Sequence, residues 1–367
     1  MSHLYEYLSS TCTQPLLKII AKFSQHTDFN LSVIIFHFFT ALCCLSFFVL
    51  LYSHLRKSHC KKTNKRLNQL AVLSVLISSF YFWLSAASQN AITPYIFPSY
   101  HRESLLLRTS SKEVVPEKFI TWRTEKAIRE FVRNFHWEEY QSLSHNQVLE
   151  DGQTQLLKLG KILGYHEGPQ TQKLKILKGV PRLLGYAYGG PAYYDSFTHE
   201  IIIPDQDDYP ASNYFYISTI VHELSHALFF QRELDATLLQ YKAMLNSEYS
   251  TIRALANFLW LEYSPFVKHP NFYKYLIESG VDSRFVNEVL RSRKTVRKKL
   301  KSFYNVQLLK NLMRKIKFQN QAAKYGWQPE KYAISPFYKI IFTWEYDQWK
   351  SNPISTGKFV QKFNWSK

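Results

Sequence analysis

Two histidines four residues apart, His222 and His226, enclose Glu223 in the run IVHELSHALFFQRELDATLLQYKAMLNSEYS, residues 220 to 250. On an α-helix positions i and i+4 share a face, so both imidazoles can be aimed at one ion, with Glu223 one residue round from them. This pattern suits a hydrolytic zinc site. Three protein ligands leave a fourth position for water, the metal lowers the pKa of that water to about 7, and a nearby carboxylate takes its proton. With 13 histidines in 367 residues, chance places roughly 0.02–0.03 copies of His-Glu-x-x-His in a chain of this composition. The competing reading is a buried helix that holds two structural histidines.

The third ligand is one of the acids that follow. Glu233 lies seven residues beyond His226, and on one unbroken helix it would stand about 10 Å along the axis, too far to share the ion. The helix must therefore break after about Leu228, although Phe229, Phe230 and Gln231 include neither glycine nor proline. Asp235 is a second candidate on the returning segment. Glu248, 22 residues after His226, is a third, and spacing alone leaves all three open. No residue stands out as the oxyanion stabiliser.

The metal-bearing segment needs a helix with one apolar stripe, and Ile217, Ile220, Val221, Leu224 and Leu228 supply it. Before it, residues 174 to 205 alternate β-branched and aromatic residues, with Gly189, Gly190 and Pro191 as punctuation, which predicts strands and a turn; HEIII, residues 199 to 203, is one strand. Residues 118 to 164 read as helical, and the pattern is again mostly helical from Tyr214 onward. The fold class is thus α+β and mainly helical. A small sheet followed by a His-Glu-x-x-His helix is the layout of a zincin, whose edge strand binds an extended peptide.

The first 92 residues predict a membrane anchor. LSVIIFHFFTALCCLSFFVLLY, Leu31 to Tyr52, holds 22 residues without Lys, Arg, Asp or Glu, enough to cross a hydrocarbon core of about 30 Å. A second uncharged run, Leu70 to Ala87, falls within a span placed at 67–88. Between them Arg56, Lys57, Lys61, Lys62, Lys65 and Arg66 stand without an acid, so this loop is expected in the cytoplasm and everything after residue 90 outside it. Residues 93 to 117, with three prolines, read as a linker, and 118 to 367 as the zincin-like domain. The four cysteines all lie in the first 60 residues, so the large domain has no disulfide framework.

The formal charge is +18, and residues 93 to 367 carry 38 basic against 26 acidic side chains. Such a balance favours anionic neighbours: lipid headgroups or cell-envelope polymers. Nucleic acid is not expected, because the orientation puts the basic domain outside the cytoplasm. The densest stretch, RSRKTVRKKLKS at 291 to 302, could sit against anionic lipid; its plainer reading is a solvated helix face.

HELSHALFFQRELDAT, residues 222 to 237, resembles a bacterial membrane family without an assigned activity, in which N-terminal spans precede an extracytoplasmic domain carrying H-E-x-A-H-Q-x-G-F-x-R-E-x-E-A-N. LNSEYSTIRALANFL, residues 245 to 259, is similar to that family's Asn-Ser-Asp segment, and residues 182 to 200 to its strand region. The Glu-x-x-Ala pattern at 233 to 236 also looks like the element that completes zinc in membrane-bound gluzincins. The resemblance implies a zincin-like peptidase with Glu233 as third ligand and Asp235 and Thr237 at flanking positions. The chain departs from the pattern at Phe229, where glycine is expected, and at Thr237, where asparagine or aspartate is.

The expected function is a membrane-anchored peptidase with Zn2+ as cofactor, His222, His226 and Glu233 as ligands, Glu223 as base and a peptide or protein as substrate. The alternative is a non-catalytic membrane-anchored scaffold with a structural or degenerate zinc site and a basic surface for anionic envelope components.

Overall fold

In a computed structural model of the chain, the first uncharged run is helical from Leu31 to Leu55, helix α1. The structure describes residues 31–55, 65, 68–78, 117–163, 173–177, 192–195, 200–205, 212–229, 233–301, 341, 345, 346 and 349, some of them by backbone alone. Residues 68–78, in the second uncharged run, are also helical. Among the residues described with their side chains, no helix is long and apolar enough to cross a membrane; positions 32, 33, 36, 37 and 53–55 of α1 are not in that set. The expected linker lies outside the described residues up to its last position, where the next helix begins.

The chain divides into two compact units. One consists of Met1–His101, Pro169–Leu177 and Tyr194–Ile202, the other of Arg102–Gly168, Lys178–Tyr193 and Ile203–Lys367. The expected sheet is present, with strands β1 (Lys173–Leu177), β2 (Tyr193–Asp195) and β3 (Glu200–Pro204) in the order β1-β3-β2. Most of it is grouped with the N-terminal segment. All five residues of the central strand β3 are buried, which is why EIII reads as a continuous apolar run after its first residue. The exception is Glu200, fully buried. Its Oε1 lies 3.8 Å from the buried Lys175 Nζ and accepts from the backbone N–H of Leu31, at 3.0 Å. A carboxylate at the first turn of α1 also meets the positive end of the helix dipole.

Among its described residues the other unit is mainly helical. It comprises α2 (Glu117–Asn134), α3 (Trp137–Ser142), α4 (His145–Leu163), α5 (Asn213–Phe229), α6 (Glu233–Leu245), α7 (Ser250–Tyr263), α8 (Phe272–Glu278) and α9 (Ser283–Lys301). The described parts of 118–164 and of the chain from 214 onward are mostly helical, as the periodicity predicts. Helix α5 packs on α4 and α6, and α7 on α2 and α6. Phe131, Tyr140, Tyr214, Phe258 and Phe285 are buried, with ring centroids as close as 4.7 Å for Phe258 and Phe285. Much of the aromatic composition therefore serves as core, where each ring removes a large apolar area from water. Helix α8 stops at Gly280, φ 93°; the N–H groups of Gly280 and Val281 bond to the carbonyls of Ile277 and Leu276 at 3.0 Å each, closing the last turn with a left-handed residue.

A buried polar cluster ties α2, α6 and α7 to Glu345. Arg123 Nε donates to Glu345 Oε2 at 2.6 Å, and its Nη2 donates to the Tyr241 hydroxyl at 2.6 Å and to Asn257 Oδ1 at 3.1 Å. The Tyr241 hydroxyl donates in turn to Glu345 Oε1, and the guanidinium lies 5.2 Å from the Trp260 ring centroid. Burial acts to lower the Arg123 pKa, but Glu345 and Tyr241 outweigh it and hold the charge on more firmly than in water.

Within the basic run, α9 is not purely solvated. Arg291 and Lys294 are exposed, whereas Arg293 pairs with Glu262 and bonds to the Tyr273 hydroxyl. Glu262 in turn accepts from the Tyr214 hydroxyl at 2.8 Å, linking the run to the start of α5.

Candidate metal centre

Helix α5 carries the two histidines, and the amides at its start are satisfied largely by residues distant in sequence. At its start Ser212 Oγ accepts from the Phe215 N–H at 3.3 Å, a local cap. The other free amides go to tertiary partners: Asn213 N–H to Glu288 Oε1 at 2.9 Å, and Tyr214 N–H to the Tyr140 hydroxyl at 2.8 Å. Tyr140 donates in turn to Glu288 Oε1 at 2.7 Å. Burial and the Glu288 carboxylate both hold the Tyr140 proton on, so the hydroxyl keeps its donor role.

The predicted stripe is the buried face. Ile217, Ile220, Val221, Leu224 and Leu228 are each at most 2% exposed. Gly152 of α4 lies against it at the level of the motif: a Cβ there would come within 3.3 Å of both Leu224 Cδ2 and Val221 Cγ2. Close approach at this point sets how α5 lies on α4.

On the opposite side the histidines converge. His222 Nε2 and His226 Nε2 lie 3.3 Å apart, with ring planes at 85°. Two imidazole nitrogens bound to one tetrahedral zinc at about 2.0–2.1 Å would be about 3.3–3.4 Å apart, so the pair is already spaced for the ion. Glu223 is buried beside them at 9% exposure. The other ring nitrogen of His222, Nδ1, lies 3.3 Å from Gln240 Oε1. Gln240 is buried on α6, and its Nε2 donates to the Ser218 carbonyl at 2.7 Å.

The helix break required for a third ligand on a returning segment is present: α5 ends at Phe229 and α6 begins at Glu233. The intervening residues 230–232 lie outside the described residues. So do the side chains of Glu233 and Asp235, which occupy the first turn of α6. Ala236 and Thr237 follow, both buried. Glu248 is not brought to the pair. Its side chain is 74% exposed, with the carboxylate 3.9 Å from Lys158 Nζ. Among the described residues, no group of three or more His, Cys, Asp or Glu side chains converges on a metal position.

The LNSEYS loop between α6 and α7, singled out by resemblance, is pinned by a residue that sequence reading missed. Asp151 accepts from the Ser247 hydroxyl and from the Glu248 N–H, the latter at 3.2 Å. Glu139 accepts from Ser250 Oγ at 2.8 Å and from the Thr251 N–H at 3.1 Å, capping α7. Burial works against the Glu139 charge, but the hydrogen bonds from Thr251 and Ser250 outweigh it and lower its pKa. Gln240 was also missed, because an isolated glutamine on a helical segment carries no motif. No family model matches the chain, and no curated protein and no solved structure is detectably similar to it.

Proposed function

We propose that the chain is a membrane-anchored, zinc-dependent peptidase that hydrolyses peptide bonds outside the cytoplasm. The observation that carries this reading is the 3.3 Å separation of His222 Nε2 and His226 Nε2, which matches two corners of a zinc tetrahedron. In this reading His222 and His226 hold zinc with Glu233 as third ligand. Asp235 stands beside it on α6 as the alternative, and Glu248, drawn toward Lys158, is the weaker one.

Zinc, when bound, supplies an activated water and a Lewis acid for the scissile carbonyl. Glu223 takes a proton from the attacking water onto its carboxylate and hands it to the departing amine nitrogen. Metal analysis of the wild type beside Glu233→Ala, Asp235→Ala and Glu248→Ala tests the ligand set: only Glu233→Ala is expected to lose stoichiometric zinc. Glu223→Gln is expected to keep the metal and lose cleavage of peptides. Zinc-free wild-type protein would sink the reading.

Support for the anchor comes from α1. Its 25 residues extend about 37 Å at 1.5 Å per residue, and 22 of them in succession are uncharged. The six-cation loop that follows orients residues beyond 90 to the outside. A reporter that works only in the cytoplasm, fused at Lys367, is expected to be inactive.

The departures at Phe229 and Thr237 favour a second reading, a membrane-anchored scaffold with a degenerate site and a basic surface for anionic lipid or envelope polymer. It predicts that Glu223→Gln changes nothing, while charge reversal at Arg291 and Lys294 releases the domain from anionic vesicles. Arg293 is unsuitable for that test, since its pairing with Glu262 is structural.

A further inference from the structure

We infer that Gln240 is the positioning residue for His222, fixing the tautomer and ring orientation in which Nε2 offers a lone pair to the metal. The inference rests on the zinc reading of the site and assigns a role to a residue that neither the motif nor the resemblance marks. It follows from one chain of hydrogen bonds. A backbone carbonyl can only accept, so the amide group of Gln240 that lies 2.7 Å from the Ser218 oxygen must be its NH2. The reversed amide would set two acceptor oxygens against each other. Oε1 therefore faces His222 Nδ1, at 3.3 Å, and a neutral imidazole answers an acceptor there only with Nδ1–H, leaving Nε2 unprotonated.

Ser218 precedes His222 by four residues on α5, so Gln240 grips one face of that helix at two points a turn apart. Its side chain is buried, 4% exposed, and held at both ends, which keeps the imidazole from rotating away. Thr237 and Gln240 lie three residues apart on α6 and share a face. Gln240 thus lies one turn beyond Thr237, the position where the resemblance expects asparagine or aspartate.

The test uses full-length protein in detergent, labelled with 15N-histidine, at a pH above the ordinary histidine range, with His222→Asn identifying the signal. Metal-free wild type should show the Nδ1–H form of His222. Gln240→Met, similar in volume but without the acceptor, should shift the ring toward the Nε2–H form and weaken zinc binding by about 10- to 100-fold in a chelator competition. Gln240→Glu keeps the acceptor for Nδ1–H while giving up the donor to the Ser218 carbonyl, and should hold the tautomer and a zinc affinity above that of Gln240→Met. An Nε2–H ring in metal-free wild type overturns the proposal, whether or not the variants fold. So does Gln240→Met with unchanged tautomer and unchanged zinc affinity, which leaves the zinc reading intact. A wild type that holds the Nδ1–H form, loses it in Gln240→Met and binds no zinc in either overturns the zinc reading and leaves Gln240 as the anchor of His222.

Discussion

Gly152 offers the simplest test of how the histidines come to lie where they do. Alanine there adds a Cβ 3.3 Å from Val221 and Leu224, both buried, the first just before the motif and the second inside it. Helix propensity alone would make alanine more stable by about 1 kcal/mol, while overpacking of a closed core costs about 1–3 kcal/mol. The two neighbours are branched and enclosed, so the steric term wins. Gly152→Ala is expected to lower stability by about 1 kcal/mol, read as a lower urea midpoint at unchanged slope. Arg123 makes a larger prediction. Removing it takes from Glu345 and Tyr241 the buried cation that donates to both, and Arg123→Ala should cost about 3–5 kcal/mol in thermal unfolding. Lysine is not expected to rescue, since one ammonium does not reproduce the fork that reaches Glu345, Tyr241 and Asn257 together.

For the elements, what could be read from sequence depended on whether the cause was local. The stripe of α5 and the His222–His226 pairing follow from a 3.6-residue period, which the sequence displays. The break between Phe229 and Glu233 has no glycine or proline to announce it, and only the need for a third ligand predicted it. The start of α5 is hidden for a different reason. Its first amides are satisfied by Tyr140 and Glu288, which are 74 and 75 residues away. Such contacts leave no trace in a window of neighbouring residues. Tyr140→Phe removes both the acceptor for Tyr214 and the donor to Glu288; a cost of about 1–3 kcal/mol is expected, with hydrogen exchange accelerated first at the amides of the opening turn of α5. The basic run was read as a helix face, and α9 is a helix; only the fold shows that Arg293 within it is already committed.

At the scale of the whole molecule, the charge balance indicates a basic protein and the periodicity a mainly helical one, and neither displays the grouping of the strands with the N-terminal segment. The strands carry no signal of what they will be packed with, because β3 is apolar on both faces. Titration supplies a global test. Burial pushes Lys242 down to about 8, with Glu345 opposing and Arg123 reinforcing that shift. Between that value and the ordinary lysine pKa of about 10.4 the unfolded chain binds more protons than the folded one, so stability should rise with pH across this window. Denaturant melts between pH 8 and 10 should show the rise, and Lys242→Met should flatten it.

The bond from the Leu31 N–H to Glu200 spans 169 residues. A chain emerging at about 5–20 residues per second makes that acid roughly 10–30 s after the helix it closes. During this interval the Leu31 N–H of α1 lacks its Glu200 partner, and this bond forms only once the middle of the chain has been made. Glu200→Met, which removes that acceptor, is therefore expected to keep newly made protein sensitive to protease for longer in a pulse-chase experiment and, with the buried ion pair to Lys175 also lost, to lower the stability of the finished molecule.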